Sequence, residues 1–167
     1  MRAVFHLDFS MLSRAFPNGM CGDMFGPFSF RHNDLELLRD SELNARLAAV
    51  QRGRAKQFCS YGDGIFPIDT HTIGKHVGDN LTDREKYENR MMSRIRVANE
   101  WDYGVVGNLY PFIKWKAGQK IRRNPFVTRY YIVATLLRNA HLCMYEGLTS
   151  SYFNCPCPTL ENYFGVI

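Results

Sequence analysis

No apolar run in this sequence approaches the ~20 residues that a membrane-crossing helix needs, so no membrane partner is expected. The opening MRAVFHLDFSMLSRAF places Asp8 and Arg14 where a signal peptide requires an unbroken apolar stretch. A nuclear or cytoplasmic protein, not a secreted one, is the expectation. The C-x-x-C pairs of zinc and redox motifs are missing, and the five cysteines (Cys21, Cys59, Cys143, Cys155 and Cys157) are odd in number, which argues for reduced thiols over a disulfide framework. The CPCP run has no second ligand pair near it in sequence, as a structural zinc site would need. Internal repeats and low-complexity tracts are also missing. What remains is ordinary globular usage: 167 residues, 46% hydrophobic and 22% charged, enough for one packed domain over 1–167. Lys and Arg number 21 against 16 Asp and Glu, and the formal charge of +5 points to a polyanionic partner.

Residues 4–9 (VFHLDF) and 19–26 (GMCGDMFG) flank a PNG turn and read as a β-hairpin that ends at the breaker Gly26-Pro27. The charged stretch after it spaces Leu35, Leu38, Leu43, Leu47 and Val50 as an amphipathic helix or helix pair, with Asp34 as N-cap, Glu36 in the first turn and Gly53 as the stop. A strand is expected at 57–60, then an Asp-Gly turn and a Gly-broken surface loop bordered by a strand. Thr82 followed by Glu85 is a capping box opening a long helix over 81–106, with Met91, Met92, Ile95, Ala98, Trp101 and Val105 as its apolar face. The segment 107–125 interleaves aromatics with Lys114, Lys116, Lys120, Arg122 and Arg123, a combination suited either to DNA phosphates and bases or to a loop covering the core. Residues 126–147 are apolar nearly all round; the Tyr-Tyr-Ile-Val centre would suit a strand, but the length favours a buried helix. The tail ends in LENYF, a short turn expected to pack its aromatics back onto the domain.

Three carboxylates sit at element boundaries: Asp34 at a helix start, Asp63 after a strand in YGDG, and Glu100 within a helix beside Trp101. Carboxylates so placed can hold Mg²⁺, which takes hard oxygen ligands and fills its remaining positions with water and substrate phosphate. Each also has a purely structural reading. Asp34 serves as a cap, Asp63 as a turn residue, and Glu100 as the i,i+4 partner of Arg96.

The blocks FGPFSFRHNDLELLRDSELN (25–44), YGDGIFP (61–67), LTDREKYENRMMSRIRVANEWDYG (81–104) and IVATLLRNAHLCMYEGLTSSYFNCPCPTLENYF (132–164) stand in this order. Together they resemble the DDE endonucleases of Harbinger/PIF-type transposases and their domesticated relatives. The resemblance covers essentially the whole chain and implies an α/β fold, an RNase H-like domain. It also implies carboxylates that bind Mg²⁺ or Mn²⁺ for hydrolysis and strand transfer at DNA phosphodiester bonds. Asp34 matches the acidic residue of the family's RHxD block, Asp63 that of the YGD block and Glu100 that of the long helix. In relatives with a shorter His-Asp-Ser the first position falls on Asn33. The family mechanism uses two metal ions, one activating the attacking oxygen and one stabilising the leaving oxygen.

The family carries a further aspartate upstream, in a DGT-like first strand. The chain begins after it, and Asp8 lies on the following strand. An N-terminally truncated domain, inactive as an isolated chain, is therefore expected. The family's strand order 3-2-1-4-5 would lose its strand 1, leaving two exposed edges. The alternative is a domesticated, non-catalytic module that binds DNA or a protein.

Overall fold

The structure, a computed structural model, describes residues 9–29, 33–55, 58–62, 64–113 and 126–165, and it is mixed α/β. Strands β1 (Phe9–Ala15) and β2 (Cys21–Ser29) form an antiparallel hairpin. The turn falls at PNG as expected, but β1 runs closer to it than the expected 4–9, and β2 begins two residues later than the expected 19–26. The Phe16 amide donates to the Met20 carbonyl (2.8 Å) and the Gly19 amide to the Phe16 carbonyl (2.8 Å), and the strands of a hairpin must abut its turn. Residues 4–8 lie outside the described residues. Gly26-Pro27 does not end the strand. Leu12 pairs with Phe25 and Ser10 with Phe28, so residues 26 and 27 together oppose Met11 in a β-bulge. Gly26 adopts φ +125° there, which a side chain would strain.

Successive residues of a strand point to opposite faces, and β1 is covered on both. Met11 packs with Val106, Ile113, Tyr131 and Ala134, while Leu12 packs with Leu37 and Phe66. The second of these cores is made with α1 (Asp34–Asp40), which is followed by α2 (Leu43–Gln51). Asp34, expected as the N-cap, is the first helical residue. The cap is Asn33, whose Oδ1 accepts from the Glu36 amide (2.9 Å) while the Glu36 carboxylate accepts from the Asn33 amide (3.0 Å). The chain turns at Ser41 and Glu42, the latter at φ +49°, and this resets the helical phase. The expected apolar set is therefore split: Leu37, outside it, is the residue buried deepest, and Leu35 and Val50 lie exposed.

Strands β3 (Ser60–Tyr61) and β4 (Thr72–Ile73) form a parallel pair, so the strand expected at 57–60 begins later; residue 57 lies outside the described residues. The described strands make two separate two-stranded sheets. Helix α3 (Asp83–Leu109) opens on the expected Thr82–Glu85 capping box and runs three residues past 106. Its covered stripe is not the expected one. Met91, Ile95 and Trp101 are exposed, whereas Asn89 is buried because its side-chain amide bonds both the His76 amide and the His76 carbonyl (2.9 Å each). A polar tether thus holds the N-terminal half of α3, and among the described residues of this helix Val106 is the one that joins a hydrophobic core.

After a 3-10 turn (Pro111–Ile113), helix α4 (Val127–Tyr145) occupies the stretch expected to be helical, followed by α5 (Leu148–Phe153) and α6 (Leu160–Phe164). Contrary to expectation, α4 is not buried all round. Tyr131, Ala134, Thr135, Arg138, Asn139 and Leu142 face inward, while Tyr130, Val133, Leu136, Leu137 and Met144 face out. The polar inward residues have a cause in the hairpin. Asn139 Oδ1 accepts from the Cys21 amide (2.9 Å), Asn139 Nδ2 donates to the Cys21 carbonyl (2.7 Å), and the Arg138 guanidinium donates to the Gly19 carbonyl. From α6, Tyr163 returns to this joint, its hydroxyl accepting from Asn139 Nδ2 (3.4 Å), while Phe164 remains exposed. No described helix is long and apolar enough to cross a membrane.

Replacing Asn139 by Ala takes away the side chain that bonds both backbone groups of Cys21 and should cost ~1–3 kcal/mol. Urea unfolding should show a lower midpoint at unchanged slope, whereas Leu136→Ala on the outer face should stay within ~0.5 kcal/mol of wild type. The reverse ranking would mean that this joint does not stabilise the fold.

Candidate metal centre

Asp34 and Glu100 are both described; Asp63 lies outside the described residues. Asp34 starts α1 and, with Glu36, places negative charge in the first turn, where the helix dipole favours it. Glu100 lies in the middle of α3, half exposed, with Oε1 accepting from Arg96 Nε at 3.1 Å. The i,i+4 pairing that the sequence allows is therefore present. The chain reaches residue 63 from the end of β3. The Gly62 amide donates to the Ile73 carbonyl (3.0 Å), and the buried Phe66 folds back over Gly62 so closely that a Cβ there would lie 2.4 Å from its ring.

Burial pushes the Tyr61 phenol up to about 12, against a smaller opposing pull from the Arg96 charge. Arg96 is also the partner of Glu100. The basic residues Lys114, Lys116, Lys120, Arg122 and Arg123 lie outside the described residues. Among the described residues, no group of three or more His, Cys, Asp or Glu side chains is placed to hold a metal ion. Asp34 and Glu100 supply hard oxygen donors of the right chemistry for Mg²⁺ or Mn²⁺. The five cysteines are free thiols, and burial pushes those of Cys21, Cys143 and Cys157 upward, away from the reactive thiolate.

Sequence reasoning missed two polar clusters. In the first, Asp23 pairs with both Arg14 and Arg46 (3.1 Å to the latter), and Arg14 Nη2 donates to Ser41 Oγ at 3.0 Å. Burial, reinforced by the Arg46 charge, lowers the Arg14 guanidinium to about 10. The sequence does carry a signal for it: Arg14 and Asp23 stand nearly equidistant from the PNG turn and are paired directly across the hairpin. The second surrounds the start of α3, where His76 Nε2 lies 2.9 Å from Glu88 Oε2 and Glu88 Oε1 accepts from Arg84 Nε at 2.9 Å.

No family model matches the chain, and no curated protein or solved structure is significantly similar to it.

The loop that follows residue 63 is held by Asp69. Its Oδ1 accepts from the His71 and Thr72 amides (2.7 Å each) and its Oδ2 from Asn44 Nδ2 (2.9 Å). These bonds, that from His71 foremost, hold the Asp69 carboxyl below the usual carboxylate range. With the folded value below the unfolded one, this stabilisation is full above the unfolded pKa of about 3.9 and lost as pH falls through that region. Asp69→Asn should therefore flatten the loss of stability between about pH 5 and 3 in chemical unfolding. An unchanged slope would mean that Asp69 does not anchor the loop.

Proposed function

We propose that this chain is a transposase-derived, divalent-metal-binding domain of the nuclease type that acts on DNA phosphodiester bonds, with Asp34, Asp63 and Glu100 as its metal-binding carboxylates. The observation that carries the reading is the strand arrangement. An order of 3-2-1-4-5 without strand 1 leaves a 3-2 pair and a 4-5 pair, and the described strands form two separate pairs. The four ordered sequence blocks add to it. In this reading Arg96 holds the Glu100 carboxylate in one orientation.

No segment of the 167 residues matches the first-strand aspartate of the resembled family. The geometry of a phosphoryl-transfer site tolerates little error, since displacements of about 1 Å can cost ~100-fold in rate. The purified chain should therefore bind Mn²⁺ weakly in calorimetric titration, Asp63→Asn and Glu100→Gln should each weaken that binding further, and DNA should remain uncut. Binding indifferent to both substitutions would sink the site; Glu100-dependent cleavage by this chain would sink the claim of inactivity.

A non-catalytic binding module is the second reading, and the engagement of Glu100 by Arg96 favours it. Under either reading the basic segment would contact DNA phosphates. DNA affinity should then fall steeply with salt, and replacing Lys114, Lys116, Lys120, Arg122 and Arg123 together by Ala should flatten that dependence by ~0.9 for each phosphate no longer neutralised. Salt-dependent DNA binding without any Mn²⁺ binding would select the module. DNA affinity unaltered by the five replacements would leave the segment as a covering loop.

A further inference from the structure

We propose that Phe112, Phe126 and Tyr130 form a stacking platform for an unpaired DNA strand. Phe112 in the 3-10 turn and Tyr130 on α4 meet edge to face, their ring centres 6.2 Å apart. Tyr110 joins Phe112 in the same way at 6.3 Å and packs against the core around Val106, which anchors the cluster. Phe126 stands one helical turn before Tyr130, whose amide donates to the Phe126 carbonyl at 3.0 Å, so the two side chains share a face. Phe112, Phe126 and Tyr130 are 51%, 49% and 42% exposed. Rings that meet edge to face cover less of each other's faces than stacked rings would, and here half of each side chain stands in water. The exposed Arg129 guanidinium lies over the Phe126 ring, 5.6 Å from its centre.

Charge chooses the occupant. Residues 103–145 carry seven Lys and Arg and no Asp or Glu, while the rest of the chain holds 14 basic against 16 acidic residues. The positive excess of the protein therefore lies wholly in the stretch that supplies every ring of the platform. Phe112 precedes Lys114 by two residues and Phe126 follows Arg123 by three, so the chain itself ties both ends of the basic segment to the patch. A second copy would set two acid-free stretches against each other and be repelled. An acidic peptide would answer the charge but would bring few planar groups to three rings. A duplex answers the charge too, yet its bases are stacked on one another and closed to a ring on a protein surface. An unpaired strand offers both phosphates for the cations and base faces for the rings. The inference rests on the DNA-binding part of the function proposed above and not on the metal-binding carboxylates.

Fluorescence anisotropy on the full chain, with labelled oligo(dT) of ~15 nucleotides, an abasic strand and a duplex of the same length, tests it. The chain should bind oligo(dT) ~10-fold or more tighter than the abasic strand, which has the same phosphates and no bases. Phe112→Ala with Tyr130→Ala should remove that difference while leaving the affinity for the abasic strand and the salt dependence unchanged, since the rings touch no phosphate. Phe112→Tyr with Tyr130→Phe should keep it. Equal wild-type affinity for oligo(dT) and the abasic strand would overturn the platform and leave phosphate binding standing, whereas no binding to any of the three would overturn the DNA reading with it. A duplex bound as tightly as oligo(dT) would also overturn the platform. So would poly-glutamate that displaces labelled oligo(dT) better than unlabelled oligo(dT) does, which would assign the patch to an acidic protein. The wild-type comparison stands even if the Ala pair fails to fold.

Discussion

The turn of the β1–β2 hairpin brings backbone groups inside the protein, and those groups need partners there. Gly19 and Met20 are buried, and the Gly19 carbonyl and both polar backbone groups of Cys21 are bonded by side chains, not by a neighbouring strand. Helix α4 supplies those side chains, Arg138 and Asn139, from more than a hundred residues away in sequence. Because a side chain must reach each group, the rotation and height of α4 over the hairpin are set within narrow limits. Tyr131 and Ala134 then meet Met11 and Val106, and α3 is placed in turn. The same commitment fills the inner face of α4 with Thr135, Arg138 and Asn139 and leaves Leu136, Leu137 and Val133 on the outside.

The strand β1 carries the connection onward. Its neighbours Met11 and Leu12 enter different cores, one with α3 and α4, the other with α1 and Phe66. A shift of register by one residue would exchange the two faces, and the pairing of Arg14 with Asp23 helps prevent it. Asp23 also takes Arg46 from α2, so the hairpin holds the helix pair by charge as well as by packing. Phe66 then ties the β3–β4 region to the same core while closing over Gly62.

For the candidate centre this means that its parts hang on different supports. Asp34 follows the Asn33 capping box at the start of α1, and Glu100 is engaged by Arg96 within α3. Arg96 can orient a carboxylate for a cation or neutralise one that has lost its use. The chemistry of the pair is the same in both cases, which is why metal affinity and DNA affinity separate the readings better than geometry does.

Local rules are legible in the residue order. The PNG turn, the Thr82–Glu85 box, the Arg96–Glu100 spacing and the helical length of 126–147 each concern residues within a few positions of one another, where sterics and short-range hydrogen bonds act without help. Asp34 reads as the cap in place of Asn33 because both are capping residues and only the backbone conformation separates them. The hidden faces are a different matter. Periodicity marks the apolar sides of α3 and α4, but hydrophobicity is non-directional and does not say which apolar side meets the core. That choice falls to long-range polar bonds, Asn89 to His76 and Asn139 to Cys21, whose geometry is strict and whose partners lie on other elements. Hydrogen bonds have direction and burial does not, so where the two compete the directional bonds orient the helices and the apolar surface takes the sides left over.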